Sequence, residues 1–278
     1  MKLSIPLFED YSLTIDERST DDGEYPTKRL QKGLLLMHDG RELAEEGVGF
    51  GVPILKRGLQ TVFPGDVELT ERRRGAVREV TAVFEMNLVE RLARPGAESL
   101  KSRSLYAAKD SLAALHRRSP RLRGPLTAAS AALRQTFGWQ TTYERAESST
   151  TLKVTYAIDS DSGTVAVGVD TTGLNGNGVT EVVIMNEQGA RHFDRYEDSD
   201  GSALRGGRIG TWNEVSADKA SFVSSAHGLA FSLGQAKGAR LHRGRELVGA
   251  RLAWSGFGYS LPPTLPSFGY AITIEKTP

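Results

Sequence analysis

The chain contains no cysteine, and this absence excludes several kinds of chemistry at once. Without thiols there are no disulfides, no thiolate zinc sites, no iron–sulfur clusters and no cysteine nucleophile. Any reaction carried out by this protein must therefore use oxygen or nitrogen groups. The 278 residues include only five histidines.

Long apolar runs are also missing. The apolar stretch at the N-terminus is interrupted by Glu9 and Asp10, before it reaches the roughly 7–15 residues of a signal-peptide core. No window approaches the roughly 18 apolar residues of a membrane span. Hydrophobic residues at 39% and charged residues at 25% are typical of globular proteins. We therefore predict a cytoplasmic protein with no membrane partner.

The common enzyme motifs are absent as well. The chain has no nucleophile elbow, no His-Glu-x-x-His zinc motif and no dinucleotide loop. Gly47, Gly49 and Gly51 alternate, but they lead into a predicted strand and not into the helix N-terminus that a phosphate site requires. We predict no cofactor and no bound metal.

Most of the chain has the period of two that indicates β-strands. Residues 151–158 and 164–169 alternate in this way around the turn sequence Asp-Ser-Asp-Ser-Gly at 159–163, which predicts a hairpin. The turn supplies only part of the 6–8 oxygen ligands that calcium requires, so a turn is favoured over a metal site. Further strands are predicted at residues 3–7, 11–16, 33–37, 48–54, 59–63, 77–89, 179–185, 220–225, 229–233, 247–254 and 270–275.

The period changes to that of a helix between residues 98 and 137. Apolar residues recur there at spacings of three or four, most clearly at Leu122, Leu126, Ala129, Leu133 and Phe137. Ser119 and Pro120 separate this stretch from a similar one before it, which predicts two helices. The surrounding residues 71–145 carry 15 Lys and Arg against 7 Asp and Glu. Few aromatics accompany this charge, so a solvated helix face is favoured over nucleic-acid binding.

These elements predict a mainly β fold. We expect residues 1–278 to form one large antiparallel β-sandwich domain, supersandwich-like, with the two-helix insertion at about 98–137. No internal repeat supports a propeller or a solenoid. The predicted architecture resembles the large β-sandwiches of carbohydrate-processing proteins, including mutarotase-like and polysaccharide-lyase β domains. The resemblance implies a glycan or another small molecule as the ligand.

Candidate catalytic residues lie in two neighbouring segments. If residues 191–201 are extended, His192, Asp194 and Tyr196 share one face, and a histidine beside a carboxylate suits acid–base chemistry. The alternative is an edge strand that is charged on its solvent side. Glu214 follows one connection later. We predict His192, Glu214 and Asp194 as catalytic residues.

Aromatic residues provide the candidate ligand contacts. Rigid aromatic faces suit the apolar side of a sugar ring, and glycines in the C-terminal stretch would permit close approach. The predicted ligand-binding residues are Tyr196, Trp212, His227, Trp254 and Tyr259. The alternative is that the aromatics near the chain end close the core. We predict acid–base chemistry on a sugar, as in an epimerase, lyase or hydrolase; the alternative is a non-catalytic ligand-binding or assembly module. No oligomeric state is predicted.

Overall fold

The computed structural model describes residues 1–18, 30–58, 60–93, 140–174, 177–248 and 252–277. The chain divides into two compact units, one formed by Met1–Leu88 with Arg145–Pro278 and the other by Val89–Glu144. The predicted helical insertion at 98–137 lies outside the described residues. The single-domain organisation stays a prediction.

Strands make up 66% of the structure and helices 3%, which confirms a mainly β fold. The strands are β1 (Lys2–Pro6), β2 (Tyr11–Asp16), β3 (Leu35–His38), β4 (Arg41–Glu42), β5 (Gly49–Arg57), β6 (Gln60–Arg74), β7 (Val77–Ala93), β8 (Gln140–Asp159), β9 (Thr164–Asp170), β10 (Glu181–Gln188), β11 (Arg195–Asp198), β12 (Ala203–Arg205), β13 (Asn213–Glu214), β14 (Lys219–Ser224), β15 (Leu229–Gly234), β16 (Arg240–Val248), β17 (Leu252–Leu261) and β18 (Ser267–Lys276). Short 3-10 helices occur at Thr172–Leu174 and Gly206–Ile209. In the described part of the chain, no helix is long and apolar enough to cross a membrane.

The strands form two sheets. Strands β1 to β4 make a four-stranded antiparallel sheet in sequence order. The other 14 strands make one large sheet in the order β12-β11-β14-β15-β18-β9-β8-β7-β6-β5-β10-β17-β16-β13. Its antiparallel pairs include β10 with both β5 and β17, and β15 with both β14 and β18. The predicted large antiparallel sheet is therefore confirmed.

Aromatic contacts show that this large sheet folds back on itself as a sandwich. Phe257 of β17 lies with its ring centroid 4.8 Å from Phe222 of β14 and 5.9 Å from Phe231 of β15, although β17 is far from both in strand order. Phe231 is also 5.2 Å from Phe50 of β5. Burial of each such ring stabilises the fold by roughly 1.5–3 kcal/mol. The core is thus enclosed between distant parts of one sheet.

The predicted hairpin at 159–163 is confirmed. Asp159 at the end of β8 pairs with Thr164 at the start of β9. The Asp159 carboxylate accepts hydrogen bonds from the Ser162 hydroxyl at 2.8 Å and from the Asp161 backbone N–H at 3.1 Å. These bonds, the one from Ser162 foremost, lower the pKa of Asp159. The Asp159 carboxylate therefore stabilises the turn locally.

The predicted strand at 247–254 is wrong in its boundaries. The structure has β16 ending at Val248 and β17 beginning at Leu252, so the predicted strand straddles two strands. Strand β16 also extends back to Arg240, through a polar sequence without apolar alternation. The strand forms because residues 240–248 pair with β17, with Gly244 opposite Gly256. Cross-strand pairing here overrides local propensity.

Candidate functional site

One outer face of the large sheet gathers tryptophans, glycines and acidic residues. Phe257 and Tyr259 of β17 point into the core, so the alternate residues of β17 point to the opposite face. Their partners across β16, β13 and β10 lie on that face with them. We call this surface the tryptophan face; it includes Met185, Glu187, Trp212, Glu214, Arg240, His242, Gly244, Glu246, Trp254, Gly256, Gly258 and Ser260.

The two tryptophans lie directly over glycines of the sheet. A side chain at Gly258 would collide with the Trp212 ring, and a Cβ at Gly244 would lie 2.7 Å from Cη2 of Trp254. The Trp212 ring also stacks on His242, with centroids 5.0 Å apart and planes 5° apart. Both tryptophans are half-buried, so each keeps part of its ring in contact with solvent. The glycines thus let two indoles form an aromatic surface on the sheet.

Trp212 has a strained backbone. Its φ of 59° lies in the left-handed region, which costs a residue other than glycine roughly 1–2 kcal/mol. The neighbouring Asn213 amide donates a hydrogen bond to the Ile209 carbonyl at 3.2 Å and holds this turn. Strained residues of this kind cluster at functional sites. The strain therefore supports a role for the Trp212 indole.

Three acidic residues at the tryptophan face differ in burial. Glu214 is exposed, Glu246 is half-buried and Glu187 is only 6% exposed. The Glu187 carboxyl accepts a long hydrogen bond from the Val48 backbone N–H at 3.4 Å. Burial, with a smaller contribution from the charge of Glu246, raises the pKa of Glu187 to about 8. Glu187 is therefore protonated at neutral pH and is able to donate a hydrogen bond.

His242 adds an imidazole to the same face. It is 7% exposed, and in the part of the chain that the structure describes its Nδ1 has no hydrogen-bond partner. Burial lowers the pKa of His242, as does the charge of Arg240, while Glu214 opposes them. Because the Trp212 ring stacks on it, the imidazole of His242 is packed within the face and its Nδ1 is closed to solvent.

His192 and Asp194 do not lie in a strand, so the condition under which they would share one face with Tyr196 is not met at residues 191–194. Strand β11 begins only at Arg195. The backbone N–H of His192 donates to the Gly189 carbonyl at 3.1 Å, which makes a turn after β10. This turn is held by Arg191, whose guanidinium lies 2.6 Å from the Glu45 carboxylate.

His192 belongs to a cluster of three histidines. Its Nδ1 is 2.9 Å from Nε2 of His227, whose Nδ1 is 3.2 Å from Nδ1 of His38. Tyr11 stacks on His38 at 4.5 Å and donates a hydrogen bond to the His227 carbonyl at 2.6 Å. Burial lowers the pKa of His227, and the charges of His192 and His38 lower it further. We call these three histidines the histidine cluster. His192 therefore has His227 as its neighbour. Glu214 instead lies opposite His242 across the strands β13 and β16.

Tyr196 and Tyr259 are buried completely. The Tyr196 hydroxyl donates to Asp198 at 2.8 Å, and the Arg243 guanidinium lies 4.5 Å from the centre of its ring. The Tyr259 hydroxyl donates to the Gly234 carbonyl at 2.5 Å. The alternative given for the aromatics near the chain end, that they close the core, describes Tyr259.

A shallow cleft of about 590 Å³ lies beside β15 and β18. Its lining includes Ser232, Tyr259, Tyr270 and Thr273, with Lys219 and Lys237 also contributing. The residues that line this cleft include no tryptophan, carboxylate or histidine, whereas the tryptophan face combines indoles, acidic residues and an imidazole. The tryptophan face is therefore the stronger candidate. Trp212, Glu214 and Trp254 were candidates from the sequence; Glu187, His242 and Glu246 were missed.

Comparison with solved structures identifies the kind of fold. Over 99% of its length, the chain aligns with the α-N-acetylgalactosaminidase NagBb from Bifidobacterium bifidum in its ligand-free form, with a TM-score of 0.50 and 11% identity. The complex of the same enzyme with Gal-NHAc-DNJ gives a TM-score of 0.50 and 12% identity. An α-mannosidase from Enterococcus faecalis V583 gives 0.47 at 9% identity, which is too low to indicate a common fold.

The chain therefore has a β-sandwich fold of a kind that also occurs within a glycosidase. It spans 36% of the length of NagBb. No protein-family model and no curated protein matches the chain.

Proposed function

We propose that this chain binds carbohydrate on the tryptophan face. The observation that carries the proposal is the pair of half-buried indoles, Trp212 and Trp254, which lie over glycines beside Glu214 and Glu246. An aromatic ring contacts the apolar side of a sugar. Carboxylates accept strong hydrogen bonds from the sugar hydroxyls. The strained backbone of Trp212 supports a ligand at the same place.

The fold comparison supports the same ligand class. NagBb is by name an α-N-acetylgalactosaminidase, and one of its structures is a complex with Gal-NHAc-DNJ. A shared fold does not by itself transfer an activity, so the proposal depends on the face and uses the fold as context. Three predictions from the sequence are kept as part of the proposal. They are that the sandwich is mutarotase-like, that the protein is cytoplasmic, and that residues 98–137 form a two-helix insertion.

A second candidate, acid–base catalysis on the bound sugar, is favoured by Glu187. Catalysis of this kind needs a group that donates a proton and one that accepts it. The protonated Glu187 would serve as the donor and Glu214 as the acceptor. His192 and Asp194 remain sequence predictions, with His192 in the histidine cluster.

Calorimetric titration tests the proposal. The chain is first screened against neutral, amino and acidic oligosaccharides, and the best ligand is then titrated into Trp212→Ala and Trp254→Ala. Each substitution should weaken binding by about tenfold or more, because a lost stacking contact of ~1.4 kcal/mol has that effect. Leu247→Ala is the matched control, since Leu247 is an apolar residue of β16 that is 44% exposed. Unchanged affinity in both tryptophan variants would contradict the proposal.

Turnover distinguishes catalysis from binding alone. Glu187→Gln should keep the affinity for the sugar and reduce turnover by roughly 10²–10⁴, the usual contribution of a general acid. If the chain binds sugars but turns none of them over, the binding function stands and the catalytic candidate is wrong.

A further inference from the structure

We infer that the histidine cluster is a latch that opens in acid. At neutral pH it fastens one end of the four-stranded sheet to the turn between β14 and β15, and proton uptake by the imidazoles releases that end. The end of the sheet, which we call the tip, consists of the β1–β2 turn at residues 7–11 and the β3–β4 turn at residues 38–41. The inference goes beyond the proposed function and does not depend on it.

The cluster joins three segments that are distant in the sequence. His38 belongs to the tip, His227 to the β14–β15 turn and His192 to the turn after β10. Their nitrogens form a continuous chain, because the two nitrogens of His227 contact different partners, His192 at 2.9 Å and His38 at 3.2 Å. All three side chains are only half-buried. Protons from solvent therefore reach the cluster without unfolding of the chain.

The number of protons that this chain of nitrogens can hold is limited. Each of the two contacts holds one proton, because one nitrogen must donate and the other must accept. The outer Nε2 atoms of His192 and His38 can each carry one more. Three neutral imidazoles already carry three protons, so the intact cluster can take up a single additional proton. A second additional proton would place two N–H groups against each other and break a contact.

Charge repulsion acts in the same direction. The ring centroids of His38 and His227 are 5.1 Å apart, and those of His192 and His227 are 4.9 Å apart. Two protonated rings at these distances would repel each other. Burial, and then the charges of His192 and His38, lower the pKa of His227. Separation of the rings removes this penalty, so the open state takes up protons more readily than the closed state.

One carboxylate lies within ion-pair distance of the cluster in the described part of the chain. Oδ2 of Asp39 is 3.9 Å from Nε2 of His38, and the Asp39 side chain is 64% exposed. Both residues belong to the tip, so their attraction persists whether the latch is closed or open. It favours protonation of His38 without holding the tip to His227. The β14–β15 turn, Ser-Ala-His-Gly at 225–228, carries no carboxylate that could replace the lost contact.

The turn that carries His192 is anchored independently of the cluster. The Arg191 guanidinium lies 2.6 Å from the Glu45 carboxylate, and Arg245 donates a hydrogen bond to the Ala190 carbonyl at 2.9 Å. These contacts involve groups that stay charged at mildly acidic pH. The His192 turn should therefore stay in place, and the tip is the part that moves.

The tip has weaker attachments beside the imidazole contact. The Tyr11 hydroxyl donates a hydrogen bond to the His227 carbonyl at 2.6 Å, and Glu9 forms an exposed ion pair with Lys276 at the end of β18. Exposed ion pairs contribute little. The imidazole contact therefore accounts for a large part of what fastens the tip. The other charged residues of these turns are Asp10, Arg41 and Asp194.

Distance measurement between two spin labels tests the inference, and the absence of cysteine makes the labelling specific. Arg41→Cys and Ala226→Cys place labels on exposed residues of the tip and of the β14–β15 turn. Pulsed electron paramagnetic resonance should show one distance at about pH 7.5 and a second, longer one at about pH 5. The ratio of long to short distances should increase about tenfold or more for each pH unit below about 6.5, because the open state binds at least one more proton.

A second labelled pair separates opening of the latch from unfolding. Asp161→Cys and Ala226→Cys lie on two exposed turns of the large sheet, so their distance should stay the same over this range of pH. A longer distance in both pairs would show that the sandwich itself opens in acid and would overturn the inference.

Substitution of the shared imidazole assigns the change to the cluster. In the Arg41→Cys and Ala226→Cys chain, His227→Gln removes the ring that both contacts share, so the distance should no longer depend on pH. His242→Gln changes a histidine that stacks on Trp212 outside the cluster and should keep the dependence. A single distance from about pH 7.5 to 5 in the chain with all its histidines, or a persisting change in His227→Gln, would show that the inference is wrong.

Discussion

At the scale of single residues, the backbone of Trp212 adopts a conformation that its bulky side chain disfavours. A bulky aromatic residue rarely adopts a positive φ, yet here the indole must reach across to His242 and Gly258. The sequence identified this residue as a candidate by its type alone. The backbone strain could not be predicted, because it depends on how the turn before β13 meets β16.

The strain at Trp212 predicts an unusual order of stabilities. Trp212→Gly and Trp212→Ala both remove the indole, but only glycine adopts φ 59° without steric cost. We expect Trp212→Gly to be more stable than Trp212→Ala by about 1 kcal/mol. Urea denaturation of the two variants measures the difference. The opposite order would show that this backbone is not strained in solution.

The buried Glu187 predicts a pH dependence of stability. Its pKa is raised from 4.5 to about 8 on folding, so between these values the native state binds more protons than the unfolded state. Its contribution to stability is fully present below pH 4.5 and is lost as the pH rises through 8. Glu187→Gln should therefore unfold with a flatter dependence on pH over this window. Thermal unfolding from acidic to alkaline pH measures this, with Glu275→Gln, an exposed substitution, as the control. An equal slope in Glu187→Gln would contradict the assignment.

At the scale of elements, the sequence predicts strands better than it predicts their partners. The strand at 11–16 and the hairpin around 159–163 were found because their alternation and turn residues are local signals. The tryptophan face was found only in part. Glu187 joins it because β10 pairs with β17, which lies about 70 residues later in the chain. His242 and Glu246 were missed because β16 is polar and lacks an apolar pattern.

Strand register makes Gly258 a test of the tryptophan face. A methyl group at this position would meet the Trp212 ring, so Gly258→Ala should displace the indole. We expect the affinity for the sugar to fall about tenfold, equal to ~1.4 kcal/mol, together with a change in tryptophan fluorescence. Gly168→Ala is the matched control, since Gly168 also lies in a strand and a Cβ there would have nothing within 4 Å. Unaltered affinity in Gly258→Ala would show that the position of Trp212 does not matter for binding.

The histidine cluster predicts a loss of stability in acid. It joins β3, through His38, to the turns that carry His192 and His227. Because the pKa of His227 is lowered from 6.5, the unfolded state binds more protons than the native state as the pH falls below 6.5. Stability should therefore decrease with falling pH in this window. Four other charged groups lie near the cluster and influence the pKa of the adjacent Tyr11: Asp39, Glu9, Asp10 and Lys276.

His227→Gln should weaken this dependence, because glutamine does not titrate. Thermal unfolding at about pH 5 to 7 compares the variant with the unsubstituted chain over the range in which histidines titrate. Some slope should remain, since the pKa of His242 is lowered as well. An unchanged slope would mean that His227 does not titrate with folding.

At the scale of the whole molecule, composition and periodicity predicted the architecture but not the order of strands. Abundant glycine and period-two patterns indicate a large β-sandwich. The observed order places β5 beside β10 and β15 beside β18, which are pairings between distant segments. No local pattern encodes such pairs, because they depend on which surfaces bury one another. The aromatic core around Phe257 and Phe231 is the result of that burial.

This core predicts that the larger unit folds without the segment between β7 and β8. The buried aromatics Phe50, Tyr156, Phe231 and Phe257 all belong to Met1–Leu88 or Arg145–Pro278. Strands β7 and β8 are neighbours in the sheet, so a Gly/Ser linker from Ala93 to Gln140 can replace residues 94–139. We expect the shortened chain to unfold cooperatively and to keep its affinity for the sugar.

The same variant tests the predicted two-helix insertion. If residues 98–137 are helical, as their apolar spacing indicates, the far-ultraviolet circular dichroism of the full chain should contain a helical component that the shortened chain lacks. The difference spectrum isolates the deleted residues, since the strands of the larger unit contribute to both spectra. A difference spectrum without helical character would refute the insertion. A shortened chain that unfolds without cooperativity would show instead that the deleted segment is required by the sandwich, as expected if residues 1–278 form a single domain.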